Sequence, residues 1–201
     1  MNSLNDLVFK SNGDLYFTDP PFGLPKLFDD PDKDLRFQGV YRLSAGGTLT
    51  LLVQDINAPN GLAFSPDKRT LYITYITDVN PERPAWLAYA VMADGSLANG
   101  RVFFDASQWQ TPHYDGPDGL KVDGDGNLFG ARPGGISVFG PDGTHLGSIE
   151  TGAATSNLAW GNDGSTPVYD GFLGRLSHQA QRERGGAGSF LPHLGTIRTR
   201  S

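Results

Sequence analysis

The chain has no cysteine, which excludes disulfide bonds and thiolate metal sites. It also has no apolar run long enough to span a membrane as a helix. Its acidic balance, with 22 Asp and Glu against 16 Lys and Arg, argues against a nucleic-acid partner. Glycine and proline are abundant instead, at 27 and 14 of 201 residues. This composition favours a turn-rich, all-β chain over a helical one.

Short apolar segments separated by turn residues recur along the chain and predict antiparallel hairpins. The four predicted hairpins join 7–9 to 15–17, 62–64 to 71–73, 120–122 to 128–129, and 158–160 to 168–169. The first three continue into two further predicted strands each, at 39–43 and 49–53, 86–91 and 101–104, and 136–139 and 145–149. Four antiparallel strands per unit, repeated at roughly 40–55 residues, are typical of a β-propeller.

A β-sandwich is the rival interpretation, because it is also built from short strands. A sandwich gives no reason for Asn or Asp to recur at the same place in each unit, so we favour the propeller. The count is about three full blades plus half a blade, which predicts an incomplete β-propeller domain over residues 1–169.

Residues 170–201 break the pattern, because they show no period-two alternation and few apolar side chains. The segment is basic, with five arginines against two acidic residues. We therefore expect an irregular, disordered tail over 170–201, although a frameshifted C-terminus would look the same.

Three strand-opening segments carry an amide or carboxylate at the same position of the repeat. They are Leu4-Asn5-Asp6, Pro59-Asn60-Gly61 and Pro117-Asp118-Gly119. The innermost strands of a propeller line a central channel, so we expect Asn5, Asn60 and Asp118 to converge at one mouth. Oxygen donors without His or Cys suit Ca²⁺, Mg²⁺ or Mn²⁺.

The alternative is that these side chains only cap turns at strand starts, which is common chemistry for Asn and Asp. The fourth hairpin offers Ser156 or Asn157 at the matching position, and the sequence does not decide between them.

These segments together resemble the senescence-marker-protein/gluconolactonase/regucalcin family, and the bacterial gluconolactonase branch in particular. The resemblance covers about residues 2–169. It is carried by the three strand openings, by the Thr18-Asp19-Pro20-Pro21-Phe22-Gly23 loop, by Gly39-Val40-Tyr41-Arg42-Leu43, and by Asn157-Leu158-Ala159-Trp160-Gly161. It implies a six-bladed propeller that binds one divalent metal in the channel mouth and hydrolyses sugar lactones.

Carried over residue by residue, the resemblance implies Asn60 and Asp118 as metal ligands. Asp118 also matches the general acid/base, and Asn5 matches a position that contacts substrate or water. The implied metal is Ca²⁺, with Zn²⁺, Mg²⁺ or Mn²⁺ as alternatives. The family's remaining ligand is a Glu in a Glu-Gly-Pro context, which this chain lacks. We therefore expect an N- and C-terminally incomplete chain.

Three functional hypotheses follow from the sequence. The first is metal-dependent hydrolysis of a sugar lactone to the aldonic acid. The second is a non-catalytic propeller fragment that binds a ligand or partner through its mouth. The third is an inactive product of a truncated gene. The sequence assigns neither a compartment nor an oligomeric state.

Overall fold

The computed structural model describes residues 1–76, 83–110, 116–161 and 166–171. It contains four antiparallel sheets, three with four strands and one with two. We call them blades 1 to 4 in chain order. The sequence prediction of an all-β chain is confirmed, and the predicted strands form these four sheets within the described residues. Most of the segment predicted to be a disordered tail lies outside the described residues.

The strand bounds follow the predicted hairpins closely. Blade 1 consists of β1 (Leu7–Phe9), β2 (Leu15–Asp19), β3 (Gly39–Leu43) and β4 (Leu49–Val53). Blade 2 consists of β5 (Pro59–Phe64), β6 (Thr70–Tyr75), β7 (Ala85–Val91) and β8 (Leu97–Asp105). Blade 3 consists of β9 (Leu120–Val122), β10 (Leu128–Arg132), β11 (Gly135–Phe139) and β12 (His145–Glu150). Blade 4 consists of β13 (Thr155–Gly161) and β14 (Thr166–Gly171).

Each blade is a simple meander in which every strand pairs with its neighbours in sequence. The turns carry the residues that tight reversals need. Gly126 and Gly143, for example, both adopt a φ of 88°, which side chains other than glycine rarely tolerate. The described residues hold two short 3₁₀ helices, Leu27–Asp29 and Ser107–Trp109. They include no helix long and apolar enough to cross a membrane.

The hydrophobic core lies between consecutive blades. Tyr16 and Val40 of blade 1 pack with Leu62 and Ile73 of blade 2, and the Tyr16 hydroxyl donates a buried hydrogen bond of 2.9 Å to the Gly95 carbonyl. The side chains shared by blades 2 and 3 are mostly aromatic. Trp86, Tyr72, Phe103, Leu120, Leu128 and Phe139 form this second cluster. A smaller cluster of Ala131, Ile136 and Leu158 joins blades 3 and 4.

This packing places the innermost strands side by side. Strand β1 contacts β5, β5 contacts β9, and β9 contacts β13. The first strands of all four units therefore line one side of the molecule, as the blades of a propeller line its channel. The outer side of blade 1 is apolar and open to solvent, since Leu7, Phe9 and Leu49 are 56%, 61% and 53% exposed.

Gly130 is the narrowest point of the packing between blades 2 and 3. A Cβ atom at this position would lie 2.5 Å from two ring carbons of the fully buried Trp86. Replacing Gly130 by Ala should therefore lower the free energy of unfolding by about 1–3 kcal/mol, because the indole cannot move without disturbing its aromatic neighbours. Urea denaturation followed by circular dichroism measures the change.

Gly124→Ala is the matched control, since a Cβ at Gly124 meets nothing within 4 Å. Its expected effect is within about 0.5 kcal/mol of zero. Equal stability of the two variants would contradict the packing described between blades 2 and 3.

Candidate functional site

The openings of the innermost strands meet through backbone contacts. A Cβ at Gly61 would lie 2.6 Å from the carbonyl oxygen of Asp118 and 2.7 Å from the Cα of Gly119. Only a glycine permits this approach, because the atoms in the way are backbone and cannot rotate aside. The segment that carries Asn60 therefore lies directly against the segment that carries Asp118, as the sequence predicted.

Asn5 joins the same group through Thr18. The Asn5 backbone N–H donates to the Thr18 carbonyl at 3.1 Å. The Thr18 hydroxyl in turn donates to the Asn60 carbonyl at 2.7 Å, and it is fully buried. Asn5 itself is exposed at the edge of blade 1. The main-chain segments that carry the three predicted residues are thus linked in series across blades 1, 2 and 3.

The carboxamide oxygen of Asn60 is buried and unsatisfied within the described part of the chain, which is unusual for a residue that caps a turn. Its side chain is only 4% exposed, and its Oδ1 atom is buried without a hydrogen-bond partner among the described residues. A buried acceptor without a donor costs about 1–3 kcal/mol. Turn capping would have satisfied this oxygen, so the orphaned Oδ1 disfavours the turn-capping alternative at this position.

Asp118 is half-buried, and its backbone N–H donates to the Ala131 carbonyl at 2.9 Å. Gly119 follows with its N–H on the Ser156 carbonyl at 2.8 Å and its carbonyl on the Ala131 N–H at 2.9 Å. Blades 3 and 4 therefore hold the main chain at Asp118 from two sides.

Two acidic or basic groups at the mouth were not singled out from the sequence. Asp6 accepts hydrogen bonds from the N–H groups of Leu7 at 2.8 Å and Leu62 at 3.4 Å, so it ties blade 1 to β5, the strand that carries Asn60. Lys121 lies on β9, and its ammonium group donates to Oδ1 of Asn157 on β13 at 3.2 Å. Burial lowers the pKa of Lys121, and the charge of Asp6 opposes that shift.

No three His, Asp or Glu side chains cluster as a metal site within residues 1–76, 83–110, 116–161 and 166–171. That set includes no amide oxygens, and the Asn60 carboxamide supplies one at the mouth. An orphaned carboxamide oxygen beside a carboxylate-bearing segment fits a hard divalent cation, which prefers oxygen ligands. The donors present are compatible with such an ion, with Asn60 and Asp118 as the residues that would hold it.

The fold and the mouth together define a propeller-like, all-β protein with oxygen donors gathered at the openings of its inner strands. The sequence signature of the "SMP-30/Gluconolactonase/LRE-like region" matches residues 1–169. The chain therefore belongs to this family, whose characterised members include lactone hydrolases.

Individual relatives agree. A gluconolactonase from Zymomonas mobilis is 39% identical over 82% of this chain and 47% of its own length. The solved structure of a gluconolactonase from Xanthomonas campestris superimposes with a TM-score of 0.71 at 37% identity, over 85% of this chain and 55% of that one. A calcium-binding regucalcin from Agrobacterium tumefaciens shares the fold, with a TM-score of 0.62 at 24% identity over 83% of this chain and 52% of that one. The chain thus spans about half the length of these relatives.

The orphaned oxygen of Asn60 can be tested through stability. Asn60→Leu keeps the side-chain volume and removes the unpaired polar atom, so the metal-free chain should gain about 1 kcal/mol in free energy of unfolding. Chemical denaturation in the presence of a chelator measures this change.

Thr74→Val provides a matched control, because Thr74 is fully buried and its Oγ1 also lacks a hydrogen-bond partner among the described residues. This substitution should leave the free energy of unfolding unchanged or raise it. If Asn60→Leu alone costs more than about 1 kcal/mol, the Asn60 amide serves the fold and not a ligand.

Proposed function

We propose that this chain forms part of a six-bladed propeller that hydrolyses a sugar lactone to the aldonic acid with the help of one divalent metal ion. Asn60 and Asp118 are metal ligands in this proposal, Asp118 is the catalytic acid/base, and Asn5 contacts the substrate. Ca²⁺ is the preferred ion because the donors are all oxygens, with Zn²⁺, Mg²⁺ and Mn²⁺ as alternatives.

One observation carries the proposal. The buried, unpartnered Oδ1 of Asn60 lies on a strand whose next residue, Gly61, packs directly against the main chain of Asp118. A buried oxygen without a donor costs free energy, and a bound cation at this position would compensate for that cost. The gluconolactonases among its relatives supply the reaction class.

The chemistry follows from the groups at the mouth. When bound, a divalent cation would polarise the lactone carbonyl and stabilise negative charge on its oxygen. The Asp118 carboxylate accepts a proton from a water molecule as the water oxygen attacks the carbonyl carbon. The bond between that carbon and the ring oxygen then breaks, and the ring oxygen takes up the proton as a hydroxyl group. The products are balanced as one aldonic acid.

The neighbouring residues position these groups. The Thr18 hydroxyl and the close contact at Gly61 keep the strand of Asn60 fixed against blades 1 and 3. The exposed Asn5 carboxamide can donate to and accept from sugar hydroxyl groups at the rim. A lactone is an activated ester, so modest polarisation suffices for its hydrolysis.

Acid release from glucono-δ-lactone tests the proposal. With Ca²⁺ or Zn²⁺ added, the purified chain should release acid faster than buffer alone, and a chelator should remove the excess. Asp118→Asn should lower the excess rate by at least about 100-fold, because it removes the proton acceptor and a charged ligand. Asn60→Leu should remove the increase in melting temperature that the cation causes.

Thr74→Val serves as the control and should leave both acid release and cation binding unchanged. A longer version of the protein that restores the length of its relatives should be assayed beside this chain. Cation binding without acid release in both versions would contradict the enzyme hypothesis and favour a ligand-binding protein. No cation binding in either would exclude both the metal site and the mechanism.

A further inference from the structure

Lys121 is a charged residue in the middle of an inner strand. Its neighbours Leu120 and Val122 pack into the aromatic cluster between blades 2 and 3. Because successive side chains of a strand point to opposite sides, Lys121 points the other way. Its ammonium group donates to the Leu120 carbonyl at 2.9 Å and to Oδ1 of Asn157 at 3.2 Å. Lys121 thus links blade 3 to blade 4.

By its place one residue before Leu158, Asn157 corresponds to Gly61 and Gly119 of the earlier repeats, and not to Asn60 and Asp118. Its Oδ1 atom accepts a second hydrogen bond, from the Leu158 N–H at 2.8 Å. A carboxamide oxygen has two lone pairs, and here both are used. Asn157 Oδ1 is therefore not an open donor for a cation, in contrast to the Oδ1 of Asn60.

The Asn157 carboxamide instead rests on Gly119. A Cβ at Gly119 would lie 2.3 Å from both Cγ and Oδ1 of Asn157 and 2.8 Å from Nδ2. The amide group thus fills the space of the missing side chain, directly beside Asp118. The hydrogen bond from the Gly119 N–H to the Ser156 carbonyl, at 2.8 Å, lies in the same contact.

We propose that Asn157, held by Lys121, is a positioning residue that sets the main chain of Asp118 for its role at the mouth. The chain of contacts runs from the Lys121 ammonium to the Asn157 carboxamide, and from there to Gly119 and Asp118. The role of Asp118 in catalysis and metal binding rests on the proposed function. The contacts that join Lys121, Asn157 and Gly119 do not depend on it.

Amide hydrogen exchange of the metal-free chain tests the arrangement. Asn157→Leu keeps the side-chain size but loses both accepted hydrogen bonds, and Lys121→Met keeps the apolar stem but loses the ammonium group. Each should speed exchange at the Gly119 amide by about tenfold while the buried Ile73 amide of blade 2 changes little. Lys121→Arg should keep exchange at the Gly119 amide slow, because arginine retains a hydrogen-bond donor for Asn157.

The matched controls are Asn12→Leu and Lys10→Met. Asn12 is an exposed amide in the β1–β2 turn, and Lys10 adjoins the same turn, away from the mouth. Both should leave exchange at Gly119 unchanged. If Asn157→Leu and Lys121→Met also leave it unchanged, the proposal is wrong.

Calcium affinity, measured by titration calorimetry, tests the consequence for the site. Asn157→Leu is the informative variant because it leaves the charge unchanged, whereas Lys121→Met also removes a repulsive charge. Loss of such a supporting residue should weaken Ca²⁺ binding roughly 10–100-fold.

The outcomes separate this proposal from the proposed function. Faster exchange at Gly119 with unchanged Ca²⁺ affinity would show that the pair supports the fold alone, which overturns the positioning role. If the two variants exchange faster at Gly119 but the wild-type chain binds no Ca²⁺, the proposed metal site is refuted. The contact between Asn157 and Gly119 is then still established.

Discussion

The architecture of the mouth depends on close packing at two glycines, which lie at the openings of neighbouring inner strands. Gly61 lies against the main chain of Asp118, and Gly119 lies under the amide of Asn157. Any side chain at either glycine would separate two blades, because the opposing atoms are a fixed main chain in one case and a doubly hydrogen-bonded amide in the other. The main-chain segments that carry Asn60 and Asp118 are thereby held next to each other.

At Asn60 this arrangement has a cost in stability. The fold surrounds its carboxamide oxygen with packed atoms and supplies no donor within the described residues. The cost is met by well-packed aromatic clusters elsewhere, such as the contact between Trp86 and Phe139, whose ring centres are 4.9 Å apart.

Much of this arrangement was predictable from the sequence. The alternation of apolar residues and the turn sequences such as Asp123-Gly124-Asp125-Gly126 specify local hairpins, and the register of Asn60 and Asp118 within the repeat predicts that they are neighbours. Thr18 was not predicted to matter, because a threonine in a strand is ordinary. The direction of Lys121 was also missed, because a lysine in an amphipathic strand is usually solvent-facing. Both roles depend on contacts between blades, which no local pattern encodes.

The outer side of blade 1 has a practical consequence. Apolar surface is exposed there by Leu7, Phe9 and Leu49, on a chain whose composition is acidic and hydrophilic. Salts such as ammonium sulfate strengthen the hydrophobic effect and so favour the burial of such surface. In concentrated salt the chain should therefore bind to a phenyl resin through this side. A longer version in which this side is covered should elute from the resin at a higher salt concentration than this chain.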